Sequence, residues 1–371
     1  MRRLVMFTPS PSHEGGAAKH TRALAAGLAE RGWEVTVVAR RPDGHRIRRS
    51  RIGGAQAIEI PGFGHRLAGA IAFLLLAVPL GLRHGRRGSF VSLELASQGL
   101  AAATCASLLR RPYVGFTFSS GRGGELEHFR GSRLWPLRRA LLGRATHLVG
   151  QTPAAAAELE AIVEEERVAV VPTPVEPVDA PPLGGEPRAL FTGRLTAGKE
   201  LDGLLDAWEL VLDRVPGAKL TIAGSSEGWA WGWPPVEREL KQRVAAAPRL
   251  RDSVKLPGWV ADPSALLAAH DVYAYPSLSE GMSNALLEAG AWQRVIVASD
   301  LPANRAVLGD DYPLLFPIGD CEALAERLLA ALGDERARDA AVARLRARMP
   351  EFHLDAVLDR IEALLEEPAC R

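Results

Sequence analysis

Ser277 to Trp292 reads SLSEGMSNALLEAGAW, and the residues before it, DVYAYP (Asp271–Pro276), form a short apolar run. A short run rich in β-branched and aromatic residues that ends in Pro and Ser is a strand entering a loop. Helical spacing begins near Ser283 or Asn284, both good N-capping residues. Between strand and helix lie Glu280, Gly281 and Met282, at the end of the sheet where α/β folds bind ligands. Glu280 and Glu288 are eight residues apart. If most of that interval is helix it spans about 10–12 Å, the reach from a sugar across a diphosphate to a ribose. The unpaired amides and positive dipole end of the helix suit the diphosphate. A solvated helix surface or a C-terminal ion pair is the other reading of Glu288.

Working outward, the same strand-to-loop unit recurs. RALFTGRLTAGKE (Arg188–Glu200) places Gly193 and Arg194 after a strand and Lys199 just before a helix, LDGLLDAWELVL. A strand-end Arg with a nearby Lys can clamp a pyrophosphate and stabilise it as a leaving group; a surface pair is the plainer alternative. KLTIAGSSEG, SVKLPGWV and VIVASD add further strands. Upstream, LVMF (Leu4–Phe7), a helix AAKHTRALAAGLAERG closed by Gly32, and VTVVA (Val35–Ala39) make a βαβ unit whose strands should be parallel. SFVSLEL, PYVGFTF, THLVGQT and VAVVPTPVEP repeat the strand signal. The Pro- and Gly-rich stretch Pro172–Pro187 separates the two series. The reading is an α/β protein of two Rossmann-like doubly wound domains facing a cleft. The first covers 1–178, with a C-terminal helix at about 354–368 able to pack back on it, and the second covers 186–352.

At 371 residues, with 47% apolar and 24% charged residues, the chain is an ordinary globular one with room for two domains. Three cysteines, Cys105, Cys321 and Cys370, have no metal-ligand spacing and point to a reducing cytoplasm. The start, MRRLVMFTPSPS, reads as a buried strand and not a signal peptide. Ala68–Leu82 is apolar but too short for a span, which takes about 20 residues; it reads as a buried helix or an interfacial one. The net charge of +1 hides an asymmetry, because residues 1–150 hold 23 Lys/Arg against 8 Asp/Glu. Clusters at Arg46, Arg48, Arg49 and Arg51, then Arg83, Arg86 and Arg87, then Arg138 and Arg139 make the first half a candidate for an anionic membrane surface. Attraction between two lobes of opposite charge is the alternative. No aromatic-interleaved basic motif supports nucleic-acid binding.

The ordered set Gly15-Gly16, Gly193-Arg194 with Lys199, Ile222-Ala223-Gly224, Gly258-Trp259-Val260 and EGMSNALLEA (Glu280–Ala289) strongly resembles the retaining GT-B glycosyltransferases of family 4. The resemblance implies a UDP- or GDP-sugar donor, a saccharide or lipid-linked acceptor, and a hexosyl transfer that keeps the anomeric configuration. It implies no cofactor and no metal, and the chain has no Asp-x-Asp cluster. Gly15 and Gly16 would approach the diphosphate, Arg194 and Lys199 would bind it, and Glu280 would hold the donor sugar. Glu288 would hold the ribose, with Trp259 and Val260 near the base. The family's His after the strand PYVGFTF is replaced by Phe118, so Ser119, Ser120, Arg122 and Glu125 become the acceptor-side candidates. Thr173-Pro174 stands for the family's Asn-Gly turn, and Gln293-Arg294-Val295 for its Gly-x-Pro. Two other readings stay open: a nucleotide-sugar-binding protein without transferase activity, and another GT-B-fold enzyme such as an epimerase. The chain would work in the cytoplasm, peripheral to the inner face of the cell membrane, in polysaccharide or glycolipid synthesis.

Overall fold

The computed structural model describes residues 2–11, 16–41, 46–62, 66–118, 124–226 and 233–366. The chain divides into two compact units, Met1–Pro174 with Phe352–Arg371, and Val175–Glu351.

In the first unit, strands and helices follow as β1 (Arg2–Pro9), α1 (Gly16–Glu30), β2 (Trp33–Arg41), β3 (Arg48–Ile52), β4 (Ala55–Pro61), α2 (Arg66–His84), β5 (Ser89–Ser92) and α3 (Ser97–Leu109). They continue as β6 (Tyr113–Thr117), α4 (Glu125–Arg130), α5 (Trp135–Leu142), β7 (His147–Gly150), α6 (Pro153–Leu159) and β8 (Val168–Val170). The sheet order is β3-β4-β2-β1-β5-β6-β7-β8. The pairs are parallel except β3 with β4, an antiparallel hairpin at the edge. Arg48, Arg49 and Arg51 therefore belong to an edge strand, where charge blocks pairing with another chain. Period-2 alternation in β1 sends Val5 and Phe7 into one core and Leu4 and Met6 into the other, so both faces of the sheet are covered.

The second unit starts with β9 (Arg188–Thr192), α7 (Leu201–Arg214), β10 (Lys219–Ala223), α8 (Glu237–Ala246), α9 (Pro248–Ser253), β11 (Val254–Gly258) and α10 (Ser264–Ala269). It ends with β12 (Val272–Tyr275), α11 (Asn284–Ala291), β13 (Val295–Ser299), α12 (Pro302–Leu308), β14 (Leu315–Phe316), α13 (Cys321–Gly333) and α14 (Glu335–Arg348). Its all-parallel sheet runs β11-β10-β9-β12-β13-β14. The strand order reverses between β9 and β12, which makes their carboxyl ends the topological switch point where such sheets bind ligands.

The proline-rich segment is fastened to this second unit. Asp271 accepts hydrogen bonds from the amides of Gly184 (2.8 Å) and Gly185 (2.6 Å) and from Arg338 (2.8 Å). Arg294, 1% exposed, donates to the carbonyls of Pro181 (2.6 Å), Trp292 (2.7 Å) and His270 (3.4 Å). Its guanidinium thus replaces solvent with three carbonyls, as a buried charge requires. Gln293, at the position of the family's glycine, keeps the left-handed conformation a glycine would take, with φ 54°.

The last helix, α15 (Leu354–Glu366), returns to the first unit. Its Val357, Leu358, Ile361 and Leu365 pack in one core with Leu24 and Leu28 of α1. The contact needs Gly27: a Cβ there would lie 2.6 Å from Leu358 Cδ1. Arg31 adds ion pairs to Asp355 (2.9 Å), Asp359 (2.5 Å) and Glu362 (2.8 Å).

Candidate functional site

At the switch point of the second unit, β9 and β12 deliver the two loops singled out by the sequence. After β9 the chain passes Gly193 and Arg194, makes a short 3-10 turn at Ala197–Lys199 and enters α7. After β12 it passes Ser277 and Glu280 and enters α11. The two loops are joined by a hydrogen bond from the Leu278 amide to the Gly198 carbonyl, 2.9 Å.

Lys199 and Glu280 meet there. The ammonium donates to Glu280 Oε1 and to the Tyr275 hydroxyl, the latter at 3.1 Å, and sits 5.1 Å from the centre of the Tyr275 ring. The side chains of Lys199 and Glu280 are only 15% and 12% exposed. Tyr275 is fully buried. Burial, and then the neighbouring Glu280 carboxylate, push its phenol well above the usual tyrosine range, so it stays neutral. Tyr275 stacks on Tyr273 at 6.1 Å, and the Tyr273 hydroxyl donates to the Thr192 carbonyl, 3.1 Å, just before Gly193. Two buried tyrosines thus brace both loops from beneath.

Beside them, the ends of β9, β10 and β11 are packed backbone to backbone. The Gly193 amide donates to the Ala223 carbonyl (3.1 Å) and the Gly224 amide to the Gly258 carbonyl (2.7 Å). A Cβ on Gly224 would lie 1.8 Å from the Gly193 carbonyl oxygen, so no other residue fits. Arg194 is exposed at this rim. Trp259, at the end of β11, is 55% exposed, a large apolar face at the sheet's carboxyl edge.

Ser283 caps α11, its hydroxyl accepting from the Leu286 amide at 3.4 Å. Asn284 and Ala285 supply the first amides of the helix. Because α11 begins only at Asn284, about half of the Glu280–Glu288 interval is loop, and the helical length assumed from the sequence applies to the latter half alone. Glu288 lies half-buried on α11, and Met282 is buried beneath the loop.

The first unit has its own switch point, between β1 and β5. Gly16 opens α1 there; Gly15 lies outside the described residues. So do Ser119, Ser120 and Arg122. Glu125 opens α4 and turns inward: Oε1 accepts from the Leu95 amide (3.1 Å) and Oε2 from the Thr117 hydroxyl (3.0 Å). Burial, and then the nearby Glu94 carboxylate, raise Glu125 to about 8. Burial raises Glu94 to about 7, against the opposing pull of Arg40. One further residue carries no sequence signal for a role here. His20 on α1 is 4% exposed and packs edge-on against Phe118, ring centres 4.7 Å apart. Neither ring nitrogen has a hydrogen-bond partner among the described residues, and burial drives it down to about 3, so it is neutral. An imidazole thus stands against the very position where the family's His is missing. In place of the family's Asn-Gly turn, the Thr173 hydroxyl accepts from Gln151.

Among the described residues no group of three or more His, Cys, Asp or Glu side chains is placed to hold a metal ion.

Two α/β units, each on a mainly parallel sheet with its own switch point, give the chain the GT-B fold of a large class of glycosyltransferases. The chain belongs to family 4 of that class: the Glycosyltransferase Family 4 profile matches residues 14–178 and the Glycosyl transferases group 1 profile residues 186–334. Among curated relatives, the phosphatidyl-myo-inositol mannosyltransferase of Mycolicibacterium smegmatis is 28% identical over 371 aligned residues, 95% of this chain and 90% of that protein. The lipopolysaccharide core biosynthesis glycosyltransferase LpsE of Rhizobium meliloti is 25% identical, covering 88% of each chain. Among solved structures, Anabaena HepE in complex with UDP-glucose superposes with a TM-score of 0.77 at 16% identity, over 98% of this chain and 99% of that one.

Proposed function

We propose that the protein is a retaining, metal-independent glycosyltransferase that moves a mannosyl or glucosyl residue from a nucleoside-diphosphate donor to a hydroxyl of a glycolipid or saccharide. The observation that carries this reading is the convergence of Lys199 and Glu280 across the β9/β12 switch point, beside the capped start of α11. Breaking a glycosyl–phosphate bond leaves negative charge on the diphosphate and positive charge on the sugar. Arg194, Lys199 and the first amides of α11 stabilise the former; Glu280 orients and steadies the latter. Glu288 takes the ribose and Trp259 flanks the base. No enzymic nucleophile is assigned. The leaving phosphate takes the acceptor proton on the face it vacates, which keeps the anomeric configuration, as the resemblance implies.

A lipid-borne acceptor is favoured by two features of the first unit. The exposed line Ile71, Leu75, Pro79 and Arg83 on α2 has the four-residue spacing of one helix face, with Leu75 70% exposed. The unit is also rich in arginine, and each basic residue near an anionic leaflet adds about 1 kcal/mol of attraction. No described helix is long and apolar enough to cross a membrane. On this reading the protein works at the inner face of the cell membrane, bound to its surface. Two curated relatives are named for transfer to phosphatidyl-myo-inositol and for lipopolysaccharide core synthesis, which supports the same class of acceptor.

The test is a thermal-shift screen of UDP- and GDP-linked glucose and mannose, followed by transfer to a lipid-extract acceptor in chelator, with the product anomer read by NMR. A donor that raises the melting temperature and yields the donor's anomer is expected. Inverted product, or strict need for a divalent ion, would overturn the mechanism.

A further inference from the structure

The function proposed above assigns Lys199 to the diphosphate and Glu280 to the sugar, yet the two groups hold each other. Lys199 donates to Glu280 and to the Tyr275 hydroxyl. The ammonium is held by both at once. Both charged side chains are mostly withdrawn from water, and Tyr275 is wholly so. A phosphate can recruit Lys199 only by drawing it from Glu280. That leaves a half-enclosed carboxylate short of its counter-ion, beside an arriving multivalent anion. Removing one partner from a shielded pair costs more than the pair contributes, because the remaining charge is left uncompensated. A sugar attached to the diphosphate changes the balance, since its hydroxyls can donate to Glu280 and replace the ammonium.

Resting on that reading of the site, we propose that Lys199, held by Glu280 and Tyr275, is a selector that admits a nucleoside diphosphate tightly only when it carries a sugar. The same device aids turnover. Once the sugar has been transferred, Glu280 loses its donor, recaptures Lys199 and weakens the grip on the nucleoside diphosphate that remains. Tyr275 sets the geometry: its hydroxyl accepts from Lys199 and its ring lies against the ammonium. It is a positioning residue.

The experiment is calorimetric titration of the full chain with UDP, UDP-glucose, GDP and GDP-mannose, for the wild type and for Glu280→Gln. The wild type should bind its sugar nucleotide at least about tenfold more tightly than the matching diphosphate, a difference of about 1.4 kcal/mol. Glu280→Gln should bind the bare diphosphate about tenfold more tightly than the wild type does, and the preference for the sugar form should collapse. Tyr275→Phe keeps both charges and removes the phenol; it should raise diphosphate affinity severalfold, a readout that remains if Glu280→Gln fails to fold. Unchanged or weaker diphosphate binding in the folded variants would overturn the selector while leaving the donor site intact. No binding of any of the four nucleotides to the wild type would overturn the donor site itself, and the selector with it.

Discussion

Replacing Glu125 with Gln should flatten the dependence of stability on pH. Glu125 opens α4 at the rim of the first sheet, with Thr117 and the Leu95 amide bonded to its oxygens. Glu94 adds repulsion, Arg40 faces Glu94, and Tyr113 lies close to Glu125. In the folded chain Glu125 rises from the ordinary 4.5 to about 8. A carboxyl group raised in this way contributes its full stability below the unfolded value and loses it as the pH climbs through the folded one. The window therefore opens near pH 4.5 and closes near pH 8. At about 1.4 kcal/mol per pH unit the upper bound is about 5 kcal/mol. The repulsion is shared with Glu94 and the two groups titrate together, so about 2 kcal/mol is the working expectation. A change of that size moves the melting temperature by about 4–8 °C in a unit of this length. The Gln amide is isosteric: its oxygen can keep the Leu95 bond, and the Thr117 hydroxyl can turn to accept from its nitrogen. Melting curves between pH 5 and 9 should thus fall for the wild type and fall less for Glu125→Gln. Parallel curves would refute the buried, proton-holding pair.

Three shorter expectations concern the loops and α2. Gly224→Ala should destabilise the second unit by about 1–3 kcal/mol through overpacking and abolish the thermal response to nucleoside diphosphates, as denaturant melts with and without ligand will show. Arg194→Ala should slow transfer by about 10²–10³ if it stabilises the leaving diphosphate, with chelator leaving the wild-type rate unchanged; near-native turnover removes Arg194 from the reaction. Leu75→Glu should reduce co-sedimentation with anionic vesicles at low salt without moving the melting temperature, and equal binding by both proteins would free α2 from the membrane.

Much of this architecture could be read directly from the chain because parallel strands buried on both faces are near-continuous apolar runs. LVMF, RALFT and DVYAY stood out for that reason. The hairpin β3–β4 did not, since an edge strand such as RRSRI carries charge where a core strand carries valine. SFVSLEL looked like one long strand, yet the strand stops at Ser92 and leaves Glu94 beyond it at the sheet's carboxyl edge. Glu280 and Lys199 were visible from their places after strands, but their mutual bond was not, because it depends on two loops 81 residues apart. Tyr275 and His20 read as core residues of a strand and a helix. Their roles rest on what their polar tips meet or fail to meet, and no spacing rule encodes that.

The return of α15 to α1 sets an order on biogenesis. Arg31 waits for partners 324 to 331 residues downstream. At about 5–20 residues per second, a ribosome needs on the order of 16–65 s to supply them. Throughout that interval Leu24, Leu28 and the flat spot at Gly27 have no cover, while every strand of the second unit has already emerged. The unit begun first is therefore the last to close. The nascent chain passes through a stage with one unit able to fold and the other holding an open apolar groove, which is the form most in need of a chaperone.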